Sequence, residues 1–252
     1  MSDSIIQLTQ ISKRFGSQTV LDQLDFAIGR GTTTVILGRS GSGKSVLLKH
    51  MIGLLRPDQG AIWVDGTEMT RLSEDQLTPI RRKFGLLFQD AALFDSMTVA
   101  DNVAFPLREH TPLTEAEVAT IVAEKLEQVG LNGSQAKLPS QLSGGMRKRV
   151  GLARAIALDP EIILYDEPTT GLDPVLADGI GRLIRDTQQR LKVTSVVISH
   201  DMSLTFSIAD KIAMLYRGKI IEQGTPEEFQ RSRHPVVRQF LDGTSDGPES
   251  VM

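Results

Sequence analysis

The chain contains no cysteine. Disulfides, thiol nucleophiles and zinc sites built on thiolates are excluded with it, which suits a cytosolic protein. A charge excess of one sign is also missing. Lys and Arg number 28 against 31 Asp and Glu, a net charge of −3, so no global basic field points to nucleic acid. Long apolar runs are absent too. The longest, TTTVILG and VTSVVIS, fall far short of a bilayer, so any membrane association must come through a partner. The start, MSDSIIQLTQ, lacks a basic stretch followed by an apolar one, and no signal peptide is expected. There is no internal repeat and no long low-complexity linker. What remains is ordinary for a globular protein: 252 residues, 40% hydrophobic and 23% charged. That is enough for one large domain, or one domain with a subdomain.

The segment GRSGSGKSVLLKHMIG, from Gly38 to Gly53, concentrates glycines between an apolar run and a helix-like run. Gly38, Gly43, Lys44 and Ser45 fit G-x-x-x-x-G-K-[ST], the phosphate-binding loop, in its context of strand, loop and helix. Without Cβ atoms the backbone through Arg39, Ser40, Gly41 and Ser42 can turn successive N–H groups toward one anion. The helix that follows adds its unpaired amides and the positive end of its dipole. Lys44 would bring a full charge to the β- and γ-phosphates, and Ser45 a hydroxyl to Mg²⁺. Arg39 reads either as a phosphate contact or as a solvated loop residue.

Residues 5–37 read as strands, and 44–54 as a helix. Ser73 with Gln76 forms a capping box for a helix through Arg82, and FGLLFQ is a short buried strand. From about 96 to 158 the chain reads almost entirely as helix. One segment there contains Pro106, expected to kink or end it; another is capped by Thr114 with Glu117. This block reads as a helical subdomain inserted into an α/β core. Strands and helices alternate again afterwards, which argues for a mainly parallel sheet covered on both faces. Thr225, Pro226 and Glu228 start a further helix. Residues 243–252, GTSDGPESVM, have little to bury and are expected to be a mobile tail after a domain over 1–242.

IILYDEP at 162–168 is an apolar strand ending in two carboxylates, where open α/β sheets carry their chemistry. Asp166 there can hold the Mg²⁺ shell with Ser45, and Glu167 can orient or deprotonate water. LSGGM at 142–146 offers a second anion cradle. Ser143 reads as a helix N-cap, and Gly144 and Gly145 expose amides at the helix start. Arg147, Lys148, Arg149 and Arg154 follow on that helix.

The order GRSGSGKS, Gln89, LSGGM, ILYDEP, GLDP and His200 resembles the ATP-binding cassette (ABC) ATPases over nearly the whole chain. The resemblance implies a P-loop NTPase core of mainly parallel sheet, with an N-terminal β subdomain and an inserted helical subdomain. It implies that Phe15 stacks on adenine and that Gln89 senses Mg²⁺ and the γ-phosphate and links to the membrane partner. Ser143, Gly144 and Gly145 would contact the γ-phosphate of ATP held by a second copy of the chain. Asp173 would lie at the seam of that homodimer, and His200 would contact the γ-phosphate. Met146 stands where glutamine is usual and Val46 where threonine is usual, and neither change removes a ligand.

The fuller stretches GRSGSGKSVLLKHMIGLLRPDQG, FQDAALFDSMTVADNVAFPLREHT, LSGGMRKRVGLARAIALDP and HPVVRQFLDG resemble the Mla-type phospholipid-transport ATPases. Members of that group drive an integral membrane permease together with a lipid-binding MCE protein. The resemblance therefore implies a peripheral subunit on the cytoplasmic face of a bacterial inner membrane, with a small cytoplasmic regulatory subunit as a further partner. Two alternatives remain: an importer of a small polar solute such as an amino acid, and a soluble ABC ATPase without a permease. The second usually carries two cassettes or a long coiled coil, and this chain has neither. After Gln89, DAALFDSMTVADNVAF supplies Leu93, Phe94 and Met97 as candidates to line a groove for a cytoplasmic helix of the permease.

Overall fold

A computed structural model of the chain describes residues 4–244 and Pro248. They divide into two compact units, Met1–Arg71 with Ile198–Met252, and Leu72–Val197.

The first unit opens with β1 (Ser4–Phe15) and β2 (Gln18–Gly29), which pair antiparallel as a hairpin closed by Phe15 opposite Gln18. β3 (Thr33–Leu37) follows, then α1 (Lys44–Met51), β4 (Gln59–Val64) and β5 (Thr67–Glu68). The antiparallel sheet has the order β2-β1-β4-β5. Its buried side includes Ile6, Leu8, Ile11, Leu24, Phe26 and Ile28. Alternation along the strands is broken where β1 shifts register, for instance between Leu8 and Ile11. All five residues of β3 are buried, as expected for a strand with both faces covered.

The second unit holds α2 (Glu74–Arg81), β6 (Phe84–Leu87), α3 (Val99–His110), α4 (Glu115–Gln128), a short 3₁₀ turn (Pro139–Gln141), α5 (Gly144–Ala155), β7 (Ile162–Asp166) and α6 (Pro174–Leu191). β6 and β7 pair in parallel, Phe84 opposite Ile162 and Leu87 opposite Tyr165. β8 (Thr194–Ser199) is buried throughout and lies next to β7; Ile198 and Ser199 already belong to the first unit. Pro106 does not end its helix, which runs on to His110. A proline there removes one N–H, and the rest of the turn is held by packing of Val103, Ala104 and Leu107 in the core.

Back in the first unit come α7 (Met202–Ile208), β9 (Lys211–Tyr216), β10 (Lys219–Gly224), α8 (Pro226–Gln230) and α9 (Pro235–Asp242). β9 pairs in parallel with β3, Leu37 opposite Met214, and antiparallel with β10. The expected mobile tail lies outside the described residues apart from Gly243, Thr244 and Pro248.

Candidate functional site

The first unit carries the glycine-rich loop. β3 delivers Gly38 at its end, beside β9. A Cβ on Gly38 would sit 2.6 Å from Ser42 Oγ and 2.7 Å from the Leu215 carbonyl oxygen. Gly41 and Gly43 have φ of 78° and 99°, a region that side chains other than glycine's rarely adopt. The loop is thus drawn tight against its own sheet. Lys44, buried at 6% exposure, donates from Nζ to the Gly38 carbonyl at 2.7 Å and to the Arg39 carbonyl at 3.1 Å. An ammonium is therefore stretched across the mouth of the loop.

The helix that follows is built differently from the rest. Every other α-helix among the described residues has a side chain accepting from its first-turn amides: Ser73, Thr98, Thr114, Ser143, Asp173, Asp201, Thr225 and His234. At α1 the capping position is Gly43, with no side-chain bond and no acid in the first turn. Ser42 Oγ is buried with no hydrogen-bond partner. Backbone amides at an uncapped helix start, a buried hydroxyl and an ammonium together fit a phosphate anion. Arg39, Ser40 and Ser45 are exposed and Val46 half-buried. The loop borders a cavity of about 450 Å³ that also touches Gln18, Val20 and Arg217. Phe15, at the hairpin turn, is 47% exposed, with Lys13 Nζ 5.6 Å from its ring centre. His200 is exposed just past β8.

The second unit carries the acids. β7 delivers half-buried Asp166 and Glu167. Glu167 has φ of 48°, a left-handed conformation that costs a residue with a side chain about 1–2 kcal/mol. The Thr170 N–H donates to its carbonyl at 3.2 Å, and Thr170 Oγ1 lies 3.5 Å from its Oε2. Gln89 is exposed, and its carbonyl accepts a hydrogen bond from buried Lys148 Nζ. Burial lowers the pKa of Lys148, and the carboxylates of Asp90, Asp166 and Glu167 oppose that shift. Lys148 therefore ties the Gln89 backbone into the field of the acid pair. The cationic run on α5 was visible in sequence, but nothing in the pattern singled out this lysine.

At the start of α5, Ser143 Oγ accepts from Met146 N at 3.3 Å. Gly144 and Gly145 face Leu172 and Leu176, whose side chains lie 3.3 and 3.5 Å from where a Cβ would be. Asp173 caps α6 through Oδ1, which accepts from Val175 N and Leu176 N at 2.9 Å each. Sequence reading gave Asp173 a seam role and missed this cap. Beside Asp173, Val175 and Leu176 are 81% and 42% exposed. Of the three groove candidates, Phe94 lines a groove of about 660 Å³ with Phe88 and Phe105, whereas Leu93 and Met97 are half-buried outside its lining.

Ser45 in the first unit carries a hydroxyl oxygen, and Gln89 and Asp166 in the second carry carboxamide and carboxylate oxygens. All are oxygen ligands of the kind a hard cation takes. No helix among the described residues is long and apolar enough to cross a membrane.

Comparison with known proteins agrees with this chemistry. The family model described as ABC transporter matches residues 21–170. The "Probable ribonucleotide transport ATP-binding protein mkl" of Mycobacterium leprae is 47% identical over 243 residues, covering 96% of this chain and 70% of that protein. The "Intermembrane phospholipid transport system ATP-binding protein MlaF" of Haemophilus influenzae is 45% identical over 248 residues, covering 98% and 94%. Among solved structures, the dimeric post-hydrolysis state of the ATP-binding cassette MJ0796 bound to ADP and Pi aligns with a TM-score of 0.80 at 31% identity, covering 87% of this chain and 98% of that one. The α/β architecture described above is thus that of a P-loop ATPase cassette.

Proposed function

The chain belongs to the ABC transporter ATP-binding family, and from that membership we propose that it is the ATP-hydrolysing motor of a transporter that moves phospholipid between membranes. The observation that carries the motor role is the uncapped start of α1 behind its glycine loop, with Lys44 bridging the Gly38 and Arg39 carbonyls. The cargo follows from likeness to MlaF over nearly the full length of both chains.

In this reading Phe15 stacks on the base, and the backbone from Gly38 through Val46 wraps the phosphates. Lys44 leaves its loop carbonyls for the β- and γ-phosphates, exchanging neutral acceptors for charged ones. Ser45, Gln89 and Asp166 would hold Mg²⁺, which would supply neutralisation of the phosphate charge. Glu167 takes the proton from the attacking water as the bond between the γ-phosphorus and the bridging oxygen breaks, releasing ADP and phosphate. His200 donates to the γ-phosphate. Two copies pair head to tail, so that Ser143, Gly144 and Gly145 of one complete the site of the other, and Asp173 with Val175 and Leu176 lies along the seam. The exposure of those two apolar side chains supports a covered face there.

The partners in this reading are a permease, which holds the motor at the membrane, an MCE lipid-binding protein, and a small cytoplasmic subunit. The helical block over about 96–158 carries the permease contact, and the groove beside Phe94 and Phe105 takes one of its cytoplasmic helices. The higher identity to a protein named for ribonucleotide transport favours a second reading, a small polar cargo.

The deciding experiment purifies the complex from membranes through this chain and reconstitutes it in liposomes. Phospholipid in the complex, and lipid movement that needs ATP and stops with Glu167→Gln while ATP still binds, supports the proposal. A complex holding a small-solute permease and no MCE protein refutes the lipid assignment. Near-normal turnover by Glu167→Gln removes Glu167 from the base role.

A further inference from the structure

The groove in the second unit is apolar in shape and cationic in charge. Phe88, Phe94 and Phe105 are 40%, 41% and 37% exposed there, and the Phe94 and Phe105 rings lie 4.9 Å apart. Arg82, His110 and Arg154 also line it, together with Arg81, and the lining includes no carboxylate. Arg81 has its own acid, Glu74, at 2.8 Å. Arg154 has none. Its guanidinium donates to the Ala91 carbonyl at 2.6 Å and the Ala92 carbonyl at 2.7 Å, and it lies 6.0 Å from the Phe94 ring centre. No carboxylate among the described residues is within ion-pair distance, and burial lowers its pKa with no acid opposing. A half-buried cation with only neutral partners is costly, and an anion brought to it gains accordingly.

We propose that the permease helix received by this groove is amphipathic and carries a carboxylate that pairs with Arg154, with Arg82 flanking the pair at the rim. This rests on the groove being the permease site. The phenylalanines take the apolar face of the helix, and the guanidinium fork takes the acid in the bidentate geometry that arginine favours.

The pairing also reaches the nucleotide side of the unit. Ala91 and Ala92 are both left-handed, with φ of 61° and 46°, and Arg154 holds both of their carbonyls. Gly151, one turn earlier on α5, packs so closely that a Cβ would lie 2.7 Å from Leu87 Cδ1 and 3.1 Å from Ala91 Cβ. Lys148, a further turn back, holds the Gln89 carbonyl. A carboxylate that draws the guanidinium off Ala91 and Ala92 loosens the loop two residues from Gln89 while Lys148 keeps its hold. Partner occupancy is thereby reported to Gln89 through the α5 side chains.

The test uses the complete complex, purified through this chain. Each Asp and Glu in the cytoplasmic loops of the co-purifying permease is changed to Asn or Gln, alone and together with Arg154→Gln or Arg82→Gln. One such acid is expected to weaken retention of the permease about tenfold or more, as for a lost charge-assisted bond. Combining that change with Arg154→Gln is expected to weaken it no further. Arg82, whose side chain is exposed, keeps the test valid if Arg154→Gln folds poorly by circular dichroism. Arg82→Gln should then show the same non-additivity with the same acid at smaller amplitude. Full retention by every acid variant, or simple additivity with both arginine variants, overturns the carboxylate. Phe105→Ser separates the two levels: if it lowers retention while no acid matters, the groove stands and the carboxylate falls. If Phe105→Ser leaves retention unchanged, the groove reading falls and takes the pairing with it.

Discussion

Removing the side chain of Asn102 should both destabilise the second unit and detach the permease. Asn102 lies in α3 and is fully buried. Its Oδ1 accepts from Phe94 N at 2.8 Å, and its Nδ2 donates to the carbonyls of Phe94, Met97 and Thr98 at 3.1, 3.2 and 3.0 Å. The segment 94–98 belongs to no helix or strand, so this one carboxamide stands in for a backbone ladder. In Asn102→Ala the Thr98 carbonyl keeps its bond from Asn102 N, and the Phe94 carbonyl keeps its bond from Met97 N. Phe94 N–H and the Met97 carbonyl lose this partner. Two net hydrogen bonds and the burial of unsatisfied groups sum to about 2–4 kcal/mol, or a drop of roughly 5–15 °C in melting temperature for a chain of this size. Asn102→Asp keeps the acceptor but turns lone pairs toward the three carbonyls, and should cost at least as much. Thermal melts followed by circular dichroism read the first effect, and permease recovered with the tagged chain reads the second, because Phe94 lines the groove. A loss within about 0.5 kcal/mol, the range of ordinary surface substitutions, with permease retained, would refute the reasoning.

Lys44→Ala should weaken nucleotide binding by about 1.5–3 kcal/mol, the scale of a bond to a charged group; titration with a fluorescent ATP analogue checks this, and unchanged affinity rejects the phosphate role. Ser143→Ala should cost about 1 kcal/mol of helix stability through the lost cap while Ser143→Asp preserves the cap and blocks hydrolysis by charge. Paired melts and ATPase assays separate the two roles, and an active Ser143→Asp protein rules out a phosphate at that serine. Asp58 is held below the usual carboxylate range, first by Lys13 Nζ at 2.9 Å and then by Arg14 N at 2.7 Å. Its folded value lies under its unfolded one, so the stability it adds is present above about pH 4 and fades as pH falls through the folded value. The melting difference between wild type and Asp58→Asn should shrink on acidification, and a difference that grows would reverse the sign.

What was legible in the sequence was local. The caps at Ser73 and Thr114 form as their spacing required, because a cap involves residues three apart, and a helix starts after Thr225 as read. The buried strands β3, β7 and β8 could be read from unbroken apolar runs. Of the two outcomes expected at Pro106, a kink or an end, the helix does not end there, because the cost of one proline is local and the packing of α3 is not. The bonds from Lys148 to Gln89 and from Arg154 to Ala91 and Ala92 span about sixty residues of chain and end on backbone carbonyls. Carbonyls are the same at every position, so no residue pattern announces them. The left-handed Glu167 was equally hidden, since the strain lies in φ and the sequence shows only the acid. Phe94, the one of the three groove candidates that lines the cavity, was picked for being apolar. Its position depends on Asn102, which reads in sequence as one more polar helix residue.

The two anion cradles differ in a way that follows from their caps. α1 begins at Gly43 with no side chain on its first amides, so an arriving phosphate meets N–H groups at no cost of displacing a cap. α5 begins at Ser143, whose Oγ already accepts from Met146 N at 3.3 Å. A hydroxyl that accepts one bond still has its own proton to donate. Ser143 can therefore cap its helix and offer O–H to a phosphate oxygen at once, without choosing between them. Aspartate would cap as well but has no proton to give when ionised. Alanine would do neither. The first cradle is thus made to hold an anion by itself, with an ammonium at hand. The second presents one hydroxyl and two glycine amides on an exposed helix start, with the nearest packing from Leu172 and Leu176. A surface of that kind suits a phosphate already gripped elsewhere and brought up to it, which is what the proposed head-to-tail pairing of two copies would accomplish.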